Sequence, residues 1–498
     1  LATWSGFRLR DQSNRDQAVA RRLAAASEQL GAGERARDAT SAGRDEAMRD
    51  FDRSARDQGE ARWRTVLATT SAAHDGFRAA ARELEAALLI DARRADVRAL
   101  MARVLFEDAL LAEEDGDRSA TAELLKRLEA YDDGSLLAEW RRPATLAVDA
   151  PGAVGIDVRP YVERDGHLEL GTRVASGTGH ALVTSLPAGS YRVDLRGRDG
   201  LVVPSPVLLG RGERIALTIP LPRASQIPDG FLYVPAGRFL TGSRTDEDFR
   251  RDFMSAPPMH AVSTGAYLIA RHEVTFADWM TYLRALAPAE REERRPRPQT
   301  GWGTWSVRLD GDGPFALVIQ RETGLARAHE GEPLVFQDRR SRRQVRWERL
   351  PVSGVAFDDA RAYAAWLAAG GRVAGARLCT GLEWERAARG ADGRRFPHGE
   401  RLDPDDADID ITYDRKPLGL GPDEVGSHSR SNSPFGVADM VGNVWEWVPG
   451  PEDAVTFRGG SFYHGMISAL SANREYGEPT QRSTWAGVRL CADPPAVQ

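Results

Sequence analysis

The spacing of apolar and polar positions divides the chain into three stretches that differ in the period of their apolar residues. In the first stretch apolar residues recur every three or four positions, as on one face of a helix. Residues 13–62 carry few large apolar side chains among Ala, Arg, Asp and Glu, which predicts a long exposed helical hairpin or stalk. Beyond Trp63 the apolar stripe strengthens, and Asp96 is the expected N-cap of a further helix. We predict a helical region over residues 1–140.

After Pro143 the apolar period changes from about three and a half to two. Ile156 and Val158 alternate with polar residues, and the same alternation returns near Val193. Turn-forming Pro and Gly residues separate these runs. Strict alternation between turns is typical of strands with one buried face. We predict a small antiparallel β-sandwich over residues 141–223.

The third stretch, residues 224–498, is rich in Gly, Trp and Arg and has short apolar runs. Its best helical pattern covers 358–367, and a second helix should begin near Thr380. Residues 285–350 are charged and irregular, so we interpret them as an insertion. The whole chain is therefore predicted to be multidomain, with an α+β third part that contains much irregular structure.

Composition and charge exclude several function classes. The chain has 498 residues with 67 Lys and Arg against 73 Asp and Glu, a net charge of −6. This balance gives no electrostatic footprint for nucleic acid, so no nucleic-acid partner is expected. No run of 18 apolar residues occurs, and such a run is what a membrane span requires. The apolar residues 1–7 before Arg8 are either the tail of a membrane helix that begins upstream or an ordinary chain end.

The chain contains two cysteines in similar local sequences. Cys379 lies within 377–380 (RLCT) and Cys491 within 489–492 (RLCA). Two cysteines are too few for a disulfide scaffold and fit no zinc pattern. We predict that they form a disulfide if the chain is exported; two buried free thiols are the alternative.

Glu383 and Glu385 lie at the start of the second predicted helix. Carboxylates in a first helical turn favour the positive end of the helix dipole. We expect these two to cap the helix or to pair with arginines such as Arg386 and Arg389, rather than to act as acid and base. Three tryptophans of the third stretch are expected in the core: Trp384, Trp445 and Trp447.

A series of short motifs runs in fixed order through the third stretch. In chain order they are 234–239 (VPAGRF), 272–275 (HEVT), 377–380 (RLCT), 383–390 (EWERAARG), 439–447 (DMVGNVWEW), 458–461 (RGGS) and 487–490 (GVRL). In this order and spacing the chain resembles the formylglycine-generating enzyme (sulfatase-modifying factor) family. The resemblance implies a compact α+β domain related to C-type lectins over residues 224–498.

The same resemblance implies that the family's metal chemistry is lost here. Its oxidases bind Cu(I) through two cysteines that follow the RGGS motif, because soft thiolates are the ligands Cu(I) needs. Counted from Arg458, these positions are His464 and Ala469. The iron-dependent branch uses two histidines four residues apart with a carboxylate two further on, and the nine histidines contain no such spacing. We expect neither copper nor iron.

These observations favour a non-catalytic module that binds a protein or a small molecule. Its binding face should surround the lost metal site, at Ser461, Phe462, Tyr463, His464, Arg474 and Tyr476. The alternative is an oxygen-dependent oxidase of the formylglycine-generating type with an altered metal site. A third possibility is a purely structural accessory protein.

The order of stalk, β-module and third domain resembles the extracytoplasmic half of certain bacterial transmembrane serine/threonine kinases. The resemblance places a kinase and a membrane helix upstream of Leu1; this chain has no kinase motif of its own. We therefore expect a sensor region outside the cytoplasm, tethered to the membrane only through that upstream segment. A cytoplasmic location is the alternative.

The resemblance finally implies a structural calcium ion. Asp439 and Glu446 match the family's side-chain ligands, and Gly442 and Val444 match its backbone-carbonyl ligands. Carboxylates and carbonyls are the hard oxygen donors that Ca²⁺ prefers. The alternative is a salt-bridged loop in which Glu446 meets an arginine such as Arg458. A second family site would use Asp408 and the Ile409 carbonyl, but the residues that follow depart from its pattern.

Overall fold

The computed structural model describes residues 2–297, 305–321, 324–450 and 454–496, with side chains from residue 10 onward. It divides into two compact units, Leu1–Arg142 and Pro143–Gln498. The first unit is helical and the second is rich in β-strands. The proposed membrane-helix tail at residues 1–7 lies outside the described side chains. None of the described helices combines the length and apolarity needed to cross a bilayer.

The first unit contains five helices. They are α1 (Ala2–Asp52), α2 (Arg56–Ile90), α3 (Ala95–Asp115), α4 (Arg118–Leu128) and α5 (Ser135–Trp140). Helices α1 and α2 form the long hairpin that the Ala-rich sequence predicts, and exposed ion pairs such as Arg62–Glu46 run along it. A Cβ atom on Gly76 would lie 2.8 Å from the Gly33 Cα atom, so glycine at both positions lets the two backbones touch.

One detail of the helical prediction was wrong. Helix α3 begins at Ala95, and Arg94 is its N-cap residue. Asp96 lies inside the first turn, where its carboxylate accepts hydrogen bonds from Arg94 at 3.0 Å. Because that carboxylate already binds the arginine next to it, it does not serve as the cap.

The second unit begins with eight strands in two sheets. They are β1 (Ala144–Asp149), β2 (Ala153–Arg164), β3 (His167–Leu170), β4 (Ala175–Thr178), β5 (Ala181–Leu186), β6 (Gly189–Gly197), β7 (Val202–Leu209) and β8 (Arg214–Thr218). One sheet has the order β5-β1-β8, and the other has the order β3-β2-β6-β7 with β4 also on β2. Strand β1 pairs antiparallel with β5 but parallel with β8, so the predicted purely antiparallel arrangement was wrong at this edge.

These strands share a hydrophobic core with the rest of the second unit. Ile156 and Val193 pack in one cluster with Tyr233, Leu268 and Ala492, which all lie beyond residue 223. The β-region therefore does not bury its apolar face alone, and it packs on the domain that follows it.

The described residues that remain form four α-helices and fifteen strands. In order they are β9 (Phe231–Val234), β10 (Gly237–Thr241), β11 (His260–Thr264), β12 (Tyr267–Ala270), α6 (Phe276–Ala285), α7 (Pro288–Arg294), β13 (Ser306–Asp310), β14 (Ala316–Arg321), β15 (Gly324–His329), β16 (Leu334–Val335), β17 (Gln344–Val345), α8 (Phe357–Ala369), β18 (Arg377–Leu378), α9 (Gly381–Arg389), β19 (Trp445–Pro449), β20 (Val455–Arg458), β21 (Glu475–Gly477), β22 (Ala486–Gly487) and β23 (Leu490–Ala492). Two four-stranded sheets, β18-β23-β12-β9 and β21-β20-β19-β22, contain parts of the motifs at 377–380, 439–447, 458–461 and 487–490.

Both helices predicted in this part are confirmed. Helix α8 covers 358–367, and α9 begins directly after Thr380, whose hydroxyl accepts a hydrogen bond from the Glu383 amide. The stretch interpreted as an insertion, 285–350, supplies Val307, Leu317 and Ile319 to the main core. It is therefore an integral part of the domain's packing.

The structure joins Cys379 and Cys491 by a disulfide with a Cα–Cα distance of 4.8 Å. Arg377 and Cys491 are direct partners of the β18–β23 pair, so the disulfide fastens the end of β18 to the last strand. Helix α9 starts two residues after Cys379. The bond therefore lies at the base of the helix that carries Trp384 and Glu385.

Candidate functional site

The loop that follows β20, where the resemblance implies the family's metal position, is tightly built. Gly459 and Gly460 have φ of +95° and +78°, a backbone conformation that favours glycine. A Cβ atom on Gly460 would lie 2.9 Å from the Ala469 Cα atom. Ala469, at the second of the family's cysteine positions, is fully buried there. Since both cysteines of the chain are in the disulfide, no thiolate pair exists at this loop.

His464, at the first cysteine position, is held by two neighbours. Its Nδ1 atom accepts a hydrogen bond from the Trp445 indole N–H at 3.1 Å and lies 2.7 Å from the Ser461 hydroxyl oxygen. Burial lowers the pKa of His464 to about 4, against a smaller opposite effect of Asp410. The ring is therefore neutral at pH 7, and Nδ1 is its acceptor atom.

Around His464 the structure assembles a group of aromatic side chains that reaches the surface. We call it the aromatic cluster: Trp305, Phe462, Tyr463, His464 and Trp485. The Tyr463 ring stacks on Trp485 with centroids 4.8 Å apart and an angle of 9°. Trp305 meets Tyr463 edge-on at 6.0 Å. Tyr463 is 42% exposed, and the neighbouring Met466 and Ile467 are also exposed. The cluster thus presents a partly exposed aromatic face.

Four of the six predicted ligand-binding residues meet in this region, and two do not. Ser461, Phe462, Tyr463 and His464 lie together. Arg474 instead contacts Glu385 at 3.3 Å, and Tyr476 is exposed on β21 opposite Thr456. Trp305 and Trp485 were not among the predicted residues. Trp485 lies two residues before the GVRL motif, which was the available signal, whereas nothing in the local sequence singles out Trp305.

A buried ion network lies beside this loop. We call it the arginine cluster: Glu385, Arg389, Arg458 and Arg474. The Glu385 carboxylate accepts hydrogen bonds from Arg389 at 2.9 Å and Arg458 at 2.7 Å. Burial alone would raise its pKa, but the surrounding arginines outweigh burial and lower it to about 2. The expected pairing of Glu385 with Arg389 is confirmed, and Glu383 pairs with Arg377. Arg386 instead donates to the Thr264 hydroxyl.

A second network contains the predicted calcium ligands. We call it the acidic cluster: Glu273, Asp439, Glu446 and Arg489, all buried. Arg489 donates to both Glu446 oxygens at 2.7–2.9 Å, and the Trp384 indole N–H donates to Glu446 at 2.6 Å. The alternative of a salt-bridged Glu446 is therefore what the structure has, with Arg489 rather than the suggested Arg458 as the arginine. The Trp384 ring explains this, because its N–H faces Glu446 while Arg458 lies 5.0 Å from its ring centre.

The acidic cluster has more negative than positive charge among the described residues. Asp439 accepts a hydrogen bond from the Gly426 amide at 2.5 Å, but the Glu273 Oε2 atom has no described hydrogen-bond partner. Burial, with repulsion from Asp439, raises the pKa of Glu273 well above its usual value. Asp439 and Asn443 have φ near +60°, which bends the 439–446 segment sharply around Gly442 and Val444.

Asp408 is a better candidate ligand for a hard cation than Glu446, because its carboxylate has no hydrogen-bond partner. Both of its carboxylate oxygens are buried without a hydrogen-bond partner in the described part of the chain. Burial and the nearby Asp423 raise its pKa well above the usual range. An unpaired buried carboxylate is costly unless a cation or a proton neutralises it. The donor set at Asp408 therefore fits Ca²⁺, whereas at Glu446 Arg489 already provides the positive charge.

A cavity of about 760 Å³ lies elsewhere in the unit, between β8 and β10. Arg386 and Glu213 are among the side chains that line it. None of the predicted site residues does, so the cavity is separate from the aromatic cluster.

A helical region followed by a sheet-rich domain with an RGGS loop beside α9 defines a protein of the formylglycine-generating-enzyme type. The Sulfatase-modifying factor enzyme 1-like domain model matches residues 218–494, more than half of the chain. The chain therefore belongs to this family.

The chain is similar to several curated relatives. It is 28% identical to a hercynine oxygenase of Mycolicibacterium smegmatis over 307 residues, 55% of this chain and 64% of the relative. It is 28% identical to a formylglycine-generating enzyme of Thermomonospora curvata over 317 residues, 55% of this chain and 97% of the relative. It is 30% identical to the inactive C-alpha-formylglycine-generating enzyme 2 of Bos taurus over 225 residues, 43% of this chain and 68% of the relative. The chain spans between half and two thirds of the length of the matched hercynine oxygenases.

Among solved structures, PvdO from Pseudomonas aeruginosa matches with 24% identity and a TM-score of 0.37. The match covers 53% of this chain and 94% of PvdO.

Proposed function

We propose that this protein is a non-catalytic binding protein that uses the aromatic cluster to hold a protein or small-molecule ligand. One observation carries the proposal: the loop after RGGS keeps its scaffold but has His464 and Ala469 at the positions of the family's metal-binding cysteines. Both cysteines of the chain lie in the disulfide, so neither can replace them. The similarity to a relative named inactive is consistent with this function.

The chemistry of the cluster favours a ligand with an apolar or aromatic face. Tyr and Trp side chains offer large contact areas with few rotatable bonds, and they are enriched where binding energy concentrates. Exposed Met466 and Ile467 extend the apolar surface beside Tyr463. A peptide segment with a large apolar side chain matches this surface.

The catalytic part of the proposal is tested by restoring the missing ligands. The wild-type protein is titrated with Cu(I) against a competing chelator, and oxygen consumption is measured with a cysteine-containing peptide. We expect no tight Cu(I) binding and no oxygen uptake. The double variant His464→Cys/Ala469→Cys is the matched control, since a restored thiolate pair should bind Cu(I). Tight Cu(I) binding and turnover by the wild type would contradict the proposal.

The binding part is tested with a peptide display library selected against the intact protein. Tyr463→Ala and Trp485→Ala should each weaken the selected peptides by at least ~10-fold, since losing a central aromatic typically costs about 2 kcal/mol. Phe253→Ala is the matched control, because Phe253 is an exposed aromatic that stacks on Phe249 and is not a member of the aromatic cluster. Peptides that bind all three variants equally would place the binding surface elsewhere.

The second candidate is an oxygen-dependent enzyme with an altered metal site. Relatives named hercynine oxygenase and formylglycine-generating enzyme favour it, as does the neutral His464 ring, which is in the protonation state of a metal ligand. Elemental analysis of purified protein decides between the candidates. Stoichiometric iron or copper that disappears in His464→Ala would establish the enzyme and exclude the non-catalytic proposal.

A structural calcium ion remains part of the proposal. Its support is the unpaired carboxylate of Asp408 and the excess negative charge of the acidic cluster. Asp408 and the carbonyl of Ile409 would hold the ion, and Asp439 would contribute if a second ion binds. Asp423 is already paired with Arg339 and His428. Bound Ca²⁺ would supply the charge that these buried carboxylates lack.

A location outside the cytoplasm, in the sensor region of a membrane-anchored kinase, is also proposed. The Cys379–Cys491 disulfide supports an oxidising compartment, and the order of helical region, β-region and family domain supports the kinase arrangement. Thiol labelling of the protein in intact cells, before and after reduction, tests the first point. An antibody against this region should detect a membrane-bound polypeptide much larger than 54.6 kDa if the second is right.

A further inference from the structure

Two loops that are far apart in sequence meet at the outer edge of the second unit. The turn before β3 docks on residues 398–401 through main-chain hydrogen bonds. The Leu168 amide donates to the His398 carbonyl at 2.7 Å, and the Glu400 amide donates to the Gly166 carbonyl at 2.7 Å. A Cβ atom on Gly399 would lie 2.4 Å from the Gly166 carbonyl oxygen, so glycine is required for this approach. The backbones thus fix the relative position of the two loops.

This docking brings two imidazoles and a carboxylate together. His167 Nε2 lies 2.9 Å from Asp406 Oδ2, and His398 Nε2 lies 3.3 Å from the same oxygen. One ligand atom from each of the three side chains lies within 4.8 Å of the others. In a tetrahedral zinc site with bonds of about 2.0–2.1 Å, neighbouring ligand atoms are separated by about 3.3 Å. The three donors are therefore spaced to share one ion.

The protein's own contacts leave part of this cluster unsatisfied. His398 is 6% exposed, and neither of its ring nitrogens has a hydrogen-bond partner among the described residues. Its Nε2 atom points into the cluster without hydrogen-bond geometry to Asp406. A buried imidazole without partners is costly, and a bound ion at Nε2 would remove part of that cost.

The remaining contacts orient the carboxylate. The Asp403 amide donates to Asp406 Oδ2 at 2.8 Å, which holds the oxygen that faces both imidazoles. Arg430 approaches the other oxygen, Oδ1, at 3.5 Å, and its side chain is 71% exposed. The arginine thus approaches the oxygen that does not face the imidazoles, and it lines the same cavity as the two histidines.

The cluster opens onto solvent through a cavity of about 450 Å³. His167 and His398 line it, together with charged side chains such as Arg164, Arg401 and Asp403. A site with three protein ligands and an open side leaves coordination positions for water or a small ligand. A small anionic ligand matches the arginines at the rim.

We propose that His167, His398 and Asp406 form a binding site for a divalent transition-metal ion of the zinc class, with an exchangeable position facing this cavity. Two imidazoles and one carboxylate suit Zn²⁺ and its neighbours rather than Ca²⁺ or Mg²⁺, which prefer oxygen donors throughout. The site is independent of the proposed ligand-binding function, because it shares no residue with the aromatic cluster.

The experiment uses the full chain, stripped of metal and titrated with Zn²⁺ by calorimetry. Co²⁺ is used in parallel, since its visible absorption reports imidazole coordination. The variants are His167→Ala, at the start of β3, and Asp406→Asn. His180→Ala is the matched control, because His180 forms an exposed pair with Asp149 on the same β-region. The far-UV circular dichroism and melting temperature of each metal-free variant establish that it is folded.

The expected result is one tight Zn²⁺ per wild-type chain, with the Co²⁺ spectrum of nitrogen ligation. His167→Ala and Asp406→Asn should weaken Zn²⁺ binding by at least ~100-fold, beyond the 10–100-fold typical when a side chain that supports a ligand is lost. His180→Ala should bind like the wild type. Absence of tight Zn²⁺ binding, or wild-type affinity in folded His167→Ala, would overturn the proposal, as would loss of the ion in His180→Ala alone.

Discussion

The arginine cluster and the acidic cluster lie on opposite sides of Trp384 and carry opposite imbalances of charge. In the first, one carboxylate, Glu385, faces three arginines; in the second, one arginine, Arg489, faces three carboxylates. Trp384 separates them, since its N–H donates to Glu446 and Arg458 lies against its ring. The same domain thus buries an excess of positive charge and an excess of negative charge next to one tryptophan.

The two clusters differ in how evenly the single opposite charge is shared among the more numerous charges around it. Glu385 is shared among its arginines, and its pKa falls to about 2. Arg489 hydrogen-bonds mainly to Glu446; its ion pair with the Glu273 Oε2 atom is longer, at 3.6 Å, and the pKa of Glu273 is raised. We infer that the single opposite charge, Glu385 in one cluster and Arg489 in the other, holds its cluster together. The more numerous charges differ in how much each contributes to stability.

The largest change in stability should come from removing the charge of Glu385, the one carboxylate of the arginine cluster. Glu385→Gln leaves three arginines in a buried site without a counter-charge, and breaking a buried ion network in this way costs about 3–5 kcal/mol. Urea denaturation of the second unit measures the loss. Glu478→Gln, at an exposed position, is the control and should change stability by less than about 0.5 kcal/mol. A loss below 1 kcal/mol for Glu385→Gln would show that the arginines do not depend on it.

Removal of calcium tests whether a bound ion neutralises the excess negative charge of the buried carboxylates. At a free concentration 100 times its Kd, an ion that binds only the folded state contributes about 2.7 kcal/mol. Chelation should therefore lower the melting temperature, and Ca²⁺ should restore it. Asp408→Asn should abolish this response, whereas Glu446→Gln should retain it because Arg489 already pairs with Glu446. Loss of the response in Glu446→Gln alone would place the ion at the 439–446 segment instead.

The pH dependence of stability should have opposite signs at the two clusters. Glu385 has a lowered pKa, so its contribution is present above about pH 4.5 and is lost as the pH falls toward 2. Glu273 has a raised pKa, so its contribution is present below about pH 4.5 and is lost as the pH rises through the folded-state value.

Chemical denaturation of the wild type and Glu273→Gln between pH 5 and 8 isolates the Glu273 contribution. A single proton changes stability by at most about 1.4 kcal/mol per pH unit. Wild-type stability should fall more steeply with rising pH than that of Glu273→Gln. Parallel curves would mean that Glu273 titrates normally.

The smallest change in stability should come from replacing Glu273, one of the three carboxylates of the acidic cluster. Glu273→Gln replaces a buried carboxyl group whose pKa is raised and keeps a side chain that contacts the Asn443 amide, so at pH 7 it should be neutral or stabilising by up to about 1 kcal/mol. Thermal melting against the wild type measures this change. A destabilisation above 1 kcal/mol that depends on Ca²⁺ would instead make Glu273 part of a cation site.

Local patterns predicted the elements that short-range physics controls. The helices α8 and α9 follow from their apolar spacing, and the start of α9 follows from Thr380 and Glu383, because a cap is a contact between neighbours in sequence. The burial of Trp384, Trp445 and Trp447 was also predictable from their motifs. Four members of the candidate binding face were found because they are consecutive in the loop after RGGS.

Partner choice across long sequence distances was not predictable. Glu446 lies directly opposite Arg458 in the β19–β20 pair, yet it binds Arg489, because Trp384 lies between the first two side chains. Strand β1 accepts β8 in parallel, which alternation of apolar residues does not encode.

The sequence by itself determined the family, the helical character of the first unit, and the absence of a thiolate pair after the RGGS motif, because these depend on residue identity and on periods of a few positions. Tertiary structure alone decided that Trp305 and Trp485 join Tyr463, and that His167 meets Asp406, 239 residues away. Such contacts depend on how whole sheets and loops pack, and packing free energy is summed over many weak interactions that no local pattern records.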